Sequence, residues 1–95
     1  MGYKIIVTSE VIKTLDKIDD YCISHFGNYE FSNKVLNEII IAKRNIEKNY
    51  KQYKVYHKNI RKVVMPRIRY NLYFYVDEKN KVIRIYSLKS FKERQ

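Results

Sequence analysis

The chain has 95 residues and a formal net charge of +10, with 45% hydrophobic and 32% charged side chains. That composition describes one small folded domain, residues 1–95, and excludes a disordered tail. Two glycines and one proline exclude a collagen-like chain, and the longest apolar run, Ile39 to Ala42, is far short of the roughly 20 residues that span a bilayer. The lone cysteine, Cys22, excludes an internal disulfide and a cysteine-based zinc site, and it fits a reducing cytoplasm. No signal peptide is expected, because Met1 to Lys4 runs directly into strand-like residues.

Taken in chain order, Tyr3 to Val7 reads as a short strand. Thr8 or Ser9 then offers a hydroxyl to cap a helix, with Glu10 in the first turn, where the helix dipole favours an acid. Val11, Leu15, Ile18, Cys22 and Phe26 recur at helical spacing and mark its buried stripe. Gly27-Asn28 is a helix stop. A second helix is expected from about Tyr29 to Asn49, with Phe31, Val35, Ile39, Ala42 and Ile46 buried and Leu36 and Ile40 widening the stripe. Two helices joined by so short a turn form an antiparallel hairpin.

The period then changes. Ile60 to Met65 is rich in β-branched residues, and Pro66, which lacks an N–H, marks a turn or bulge. Tyr70, Leu72, Phe74 and Val76 alternate with Asn71, Tyr73 and Tyr75 as a strand. Asp77 to Asn80 is a hairpin turn, and Lys81 to about Lys89 is the last strand. The expected fold is α+β, β-α-α-β-β-β, an antiparallel sheet with the two-helix hairpin on one face. If Tyr70, Leu72, Phe74 and Val76 face the helices, then Arg69, Asn71, Tyr73 and Tyr75 face away, with Arg67 sharing their parity. Ile60 to Met65 and the last strand show no clear parity, because apolar and basic residues are mixed in both.

Charge is segregated. Residues 1–50 hold seven basic and seven acidic residues, whereas residues 51–95 hold thirteen basic and three acidic. A field this lopsided implies a polyanionic partner, nucleic acid or an acidic protein segment in preference to lipid, since the basic half contains no amphipathic helix. Arg61, Lys62, Arg67, Arg69, Arg84, Lys89, Lys92 and Arg94 are interleaved with Tyr53, Tyr56, Tyr70, Tyr73, Tyr75 and Tyr86. Cations contact phosphates and tyrosine rings stack on unpaired bases, although tyrosine is also an ordinary half-buried strand residue. Lys62, Asn71, Tyr73, Arg84, Lys89 and Lys92 are the candidate target-binding residues. His57 has the chemistry of a proton-transfer group beside phosphates and also fits a solvated loop. His25 sits where a helix C-terminus favours a cation. Asp16, Asp19 and Asp20 read as a solvated helix face, so no metal site and no cofactor are expected. No phosphate-binding glycine loop or serine nucleophile motif is present.

Leu15-x-x-Ile18-x-x-Tyr21 followed by Phe26-Gly27 resembles a segment of ParE and plasmid-stabilisation toxins. Ile60-Arg61-Lys62-Val63-Val64, then Tyr70-Asn71-Leu72-Tyr73-Phe74-Tyr75-Val76, is similar to the Arg-bearing strand and the Tyr-Arg-Leu-x-Tyr-x-Val strand of the RelE/ParE superfamily. The terminal Lys92-Glu93-Arg94-Gln95 resembles the basic run that closes many members. The resemblance covers nearly the whole chain. It implies a toxin of a type II toxin–antitoxin module, neutralised by a cognate antitoxin and acting in the cytoplasm on DNA gyrase or on ribosome-bound mRNA, with no small-molecule substrate. For a RelE-like endoribonuclease it carries across Arg61 alone, as a phosphate contact; Arg67, Arg69 and Arg94 are the further residues expected to handle phosphate, with His57 or Lys92 moving the proton. Asn71 stands where the RelE-like strand carries arginine, and asparagine supplies no positive charge. That departure and the long helical hairpin lean toward a ParE-like inhibitor; a non-toxic basic binding module is the third expectation.

Overall fold

A computed structural model describes residues 2–92. The order is β1 (Lys4–Val7), α1 (Ser9–Phe26), α2 (Glu30–Asn49), a 3-10 turn (Tyr50–Gln52), β2 (Val55–His57), β3 (Ile60–Met65), β4 (Tyr70–Asp77) and β5 (Val82–Ser90). The α+β architecture with a helical hairpin is as expected. The sheet has one more strand and one more direction than the sequence reading gave it. β2 is three residues long and wholly exposed, so it has no apolar alternation to betray it. β1 lies parallel to β5, while the order β1-β5-β4-β3-β2 is otherwise antiparallel, so the sheet is mixed.

Short polar residues set the joints. Gly27 adopts φ 69°, the left-handed conformation that costs glycine little, and its N–H bonds to Ile23 to end α1. Asn28 Oδ1 then accepts the Glu30 N–H at 2.9 Å, starting α2 two residues later. Thr8 has the extended backbone of an N-cap but makes no capping bond; its hydroxyl donates to the Tyr86 carbonyl at 3.3 Å and ties α1 to β5 instead. Pro66 follows Met65, whose carbonyl accepts the Ile68 N–H at 3.3 Å, which is the place proline takes in a tight turn. The hairpin between β4 and β5 is closed by Asp77, which accepts both the backbone and the side-chain N–H of Asn80.

The hairpin lies on one face of the sheet. Val11, Ile18 and Cys22 of α1 and Val35, Ile39, Ala42 and Ile46 of α2 meet Val63, Met65, Leu72, Phe74, Val76, Ile83, Ile85 and Leu88 of the strands. Full burial of each large aliphatic side chain contributes about 1.5–3 kcal/mol. The stripes are narrower than their periodicity implied. Leu36, Ile40 and Phe26 are 46%, 41% and 57% exposed, because the sheet contacts only the centre of each helical face. Strand parity, unreadable at β5, is explained by a bulge. Phe74 pairs with Ile85 but Tyr73 pairs with Ser87, so Tyr86 is an extra residue and the inward side switches from Ile85 to Leu88.

Candidate functional site

The face of the sheet away from the helices is the candidate site. Cross-strand register places Lys62 opposite Tyr73 and Tyr73 opposite Ser87, while the next row runs Val64, Asn71, Lys89. A third row joins Ile60, Tyr75 and Arg84. Lys62, Lys89 and Arg84 are therefore cations of this face, one in each row, with strands about 4.8 Å apart and successive rows about 6.8 Å apart along the strands. Asn71, Tyr73 and Tyr75 point away from the hairpin as expected.

The tyrosines of this face have two roles. Tyr73 is only 2% exposed, covered by the ring of Tyr56 at 5.3 Å in an edge-on contact. It is a support, and Tyr56 is the accessible ring. Lys62 Nζ lies 5.2 Å from the Tyr56 ring centre, a cation–π contact. Tyr75 and Tyr86 form a second pair at 5.8 Å, with burial and then the Glu10 charge raising the Tyr86 hydroxyl above the usual tyrosine range. In the row beyond Tyr73, Asn71 Oδ1 is buried and has no hydrogen-bond partner among the described residues. An unpaired buried acceptor carries an energetic penalty of about 1–3 kcal/mol, and a group that another molecule supplies on binding would remove it.

The arginines do not gather on this face. Arg61 shares the inward parity of Val63 and Met65; its Nη1 donates to the Tyr53 carbonyl at 2.7 Å and its guanidinium sits 5.4 Å from the Tyr50 ring centre. The Tyr50 hydroxyl donates to Glu78 Oε2 at 2.6 Å, and that carboxylate holds the hydroxyl well above the ordinary tyrosine range. Arg61 is thus a strut between the end of the hairpin and the sheet. Arg67 and Arg69 fall in the β3–β4 turn, outside the strand alternation that had assigned them to the open face. Arg67 Nη1 lies 3.9 Å from Glu38 Oε2 of α2, which puts it on the helix side, and Arg69 takes a left-handed φ of 59°. His57 ends β2 at the far edge of the sheet. Lys92 is in the exposed turn after β5, and Arg94 lies outside the described residues.

Sequence reasoning missed the Tyr50–Glu78–Arg61 cluster, whose members are far apart in the chain and share no local pattern. It also missed Lys13 and Lys17 of α1, which line a cleft with Lys89; their spacing of four was the available signal. Among the described residues no three His, Cys, Asp or Glu side chains are grouped to hold a metal ion, and no helix is long and apolar enough to cross a membrane.

No protein-family model matches the sequence, and no curated protein matches it. Solved structures do match the fold. The chromosomal ParDE toxin–antitoxin system of P. aeruginosa is similar at a TM-score of 0.74 and 18% identity, over 94% of this chain and 96% of that one. The isolated E. coli RelE toxin is similar at a TM-score of 0.62 and 12% identity, covering 98% of this chain and 87% of that one. The archaeal RelE–RelB complex of Pyrococcus horikoshii is similar at 0.60 and 14% identity, covering 99% and 100%. The chain has the RelE/ParE toxin fold.

Proposed function

We propose that this chain is a growth-inhibiting toxin of a toxin–antitoxin pair, acting in the cytoplasm, held inactive by a cognate antitoxin and directed at DNA gyrase. The observation that carries the toxin reading is the fold, shared end to end with a ParDE system at a TM-score of 0.74. Fold alone does not determine activity, and the choice of target rests on the arginines. A ribonuclease of this architecture needs cations converging on one phosphate. Here Arg61 is occupied beneath the hairpin, Arg67 and Arg69 are in a turn, and Asn71 holds the central open-face position. The antitoxin is expected to be an acidic segment that orders on binding, and salt should weaken the complex.

Expression in bacteria should arrest growth, and the purified protein should inhibit supercoiling of plasmid DNA by gyrase in a dose-dependent way. Growth arrest with unchanged supercoiling at every dose would overturn the gyrase assignment. Normal growth with correctly folded protein would overturn the toxin reading and favour a non-toxic basic binding module.

One observation favours a second reading. Lys62 lies over the Tyr56 ring and Arg84 is paired with Tyr75 of the Tyr75–Tyr86 pair, with Lys89 on the same open face, a combination suited to an RNA strand. On that reading the protein cuts mRNA on the ribosome. Primer extension on translated and untranslated reporter mRNA separates the two, since cuts confined to translated mRNA identify the nuclease. Simultaneous replacement of Arg61, Arg67 and Arg69 by alanine then tests whether those side chains handle the phosphate.

A further inference from the structure

β1 accompanies β5 only from Val82 to Ile85, although β5 continues to Ser90. Beyond that point α1 lies along the strand in place of a neighbour, and the two enclose a cleft of about 310 Å³. Its walls are Glu10, Lys13, Thr14 and Lys17 of α1 and Ser87, Leu88 and Lys89 of β5. Three lysines and one glutamate line it, so the cleft is cationic, although two of the lysines come from the half of the chain that is neutral overall. Thr14 gives its hydroxyl proton to the Glu10 carbonyl at 3.1 Å, and Ser87, only 3% exposed, lies deep in the cleft.

The cleft is continuous with the open face. Ser87 closes the row that begins at Lys62, and Lys89 closes the row that contains Asn71 with its unpaired Oδ1. Tyr86, the bulged residue next to Ser87, stands beside Tyr75 and within the electrostatic reach of Glu10. Cations within one cleft and an aromatic pair at its lip match the two halves of a nucleotide. The first suits a phosphodiester and the second suits a base face.

We infer that the cleft between α1 and the end of β5 holds the phosphate backbone of single-stranded nucleic acid through Lys13, Lys17 and Lys89, with a base stacked on the Tyr75–Tyr86 pair. A single strand fits better than a duplex, because stacking on tyrosine needs an unpaired base. An acidic peptide would use the lysines but leave the tyrosine pair without a function. This binding is read on the purified protein alone, so it stands or falls separately from growth arrest and from either target.

The test is fluorescence anisotropy with a labelled single-stranded 12-nucleotide RNA, the same DNA sequence, and the corresponding DNA duplex, each across a salt series. The wild-type protein should bind both single strands more tightly than the duplex. Lys13→Gln/Lys17→Gln/Lys89→Gln should weaken single-strand binding on the order of tenfold or more and flatten the dependence of log K on log salt by about 2. Lys34→Gln/Lys43→Gln/Lys48→Gln on exposed α2 positions makes the same change in net charge and should leave most of the affinity. Tyr86→Leu should weaken binding by about fivefold or more with an unchanged salt slope, since stacking carries no counterion release. Equal losses in the two triple variants would overturn the site and leave only the general field of the protein. Displacement of the RNA by polyglutamate at matched charge, with the same dependence on Lys13, Lys17 and Lys89, would overturn nucleic acid in favour of an acidic protein segment. Circular dichroism of every variant verifies folding, and the replaced lysines are exposed or half-exposed.

Discussion

On β4 the residues facing the hairpin are Tyr70, Leu72, Phe74 and Val76, and those facing away are Asn71, Tyr73, Tyr75 and Asp77. The first set is closed by helices and dominated by carbon. The second carries a polar atom on every side chain, and one of those atoms, Asn71 Oδ1, is buried without a partner among the described residues. A strand places successive side chains on opposite faces, so adjacent positions answer to different demands. The helix-covered face lowers the free energy of folding. The open face gives up some of that for a surface that another molecule can occupy.

The largest way to break this comparison is to truncate neighbours across it. Phe74, fully buried, should cost about 3–5 kcal/mol as Phe74→Ala. Tyr75→Ala, half-buried next door, should cost about 1 kcal/mol. Urea denaturation of both variants checks this, and similar losses would mean that the open face is as structural as the covered one.

A smaller effect is expected at the end of the hairpin. Tyr50→Phe removes the 2.6 Å bond to Glu78 and should cost about 0.5–1.5 kcal/mol at neutral pH. The pH dependence follows from the raised hydroxyl pKa, caused first by that hydrogen bond and then by burial. A group whose folded pKa lies above its unfolded value gives its full contribution below the unfolded value, near ~10 for tyrosine, and loses it as pH climbs toward the folded one. Wild-type stability should therefore fall more steeply above about pH 10 than that of Tyr50→Phe. Parallel alkaline limbs would remove Tyr50 as the linkage group.

The smallest effect sharpens the contrast from the open side. Asn71→Val deletes the unpaired acceptor and supplies a β-branched strand residue, so stability should be unchanged or higher by up to about 1 kcal/mol. Thermal melts measure this. A clear loss would show that the Asn71 amide is held by interactions that the register does not reveal.

Much of the fold was legible because it is locally encoded. The helical spacing from Val11 to Cys22, the Gly27-Asn28 joint, the alternation from Tyr70 to Val76 and the turn at Asp77 to Asn80 each depend on residues within a few positions of one another. The candidate site was legible in part. Lys62, Asn71, Arg84 and Lys89 do share the open face, but Arg61 turned inward, and Arg67 and Arg69 left the strand pattern for the turn that follows Pro66. Strand parity does not carry through Pro66, since alternation holds only while the backbone stays extended.

The sequence by itself determined the two helices and the joint between them, the three long strands that follow, and the segregation of charge into the last 45 residues. Periodicity, turn chemistry and composition are properties of neighbouring residues, so they can be read along the chain. Only the tertiary structure decided that β1 runs parallel to β5, that a bulge at Tyr86 reverses the parity of β5, that Tyr73 is buried under Tyr56, and that Lys13 and Lys17 come to share a cleft with Lys89. Each of these depends on which strand lies beside which and in what register, and that is settled by the burial of the whole apolar face at once.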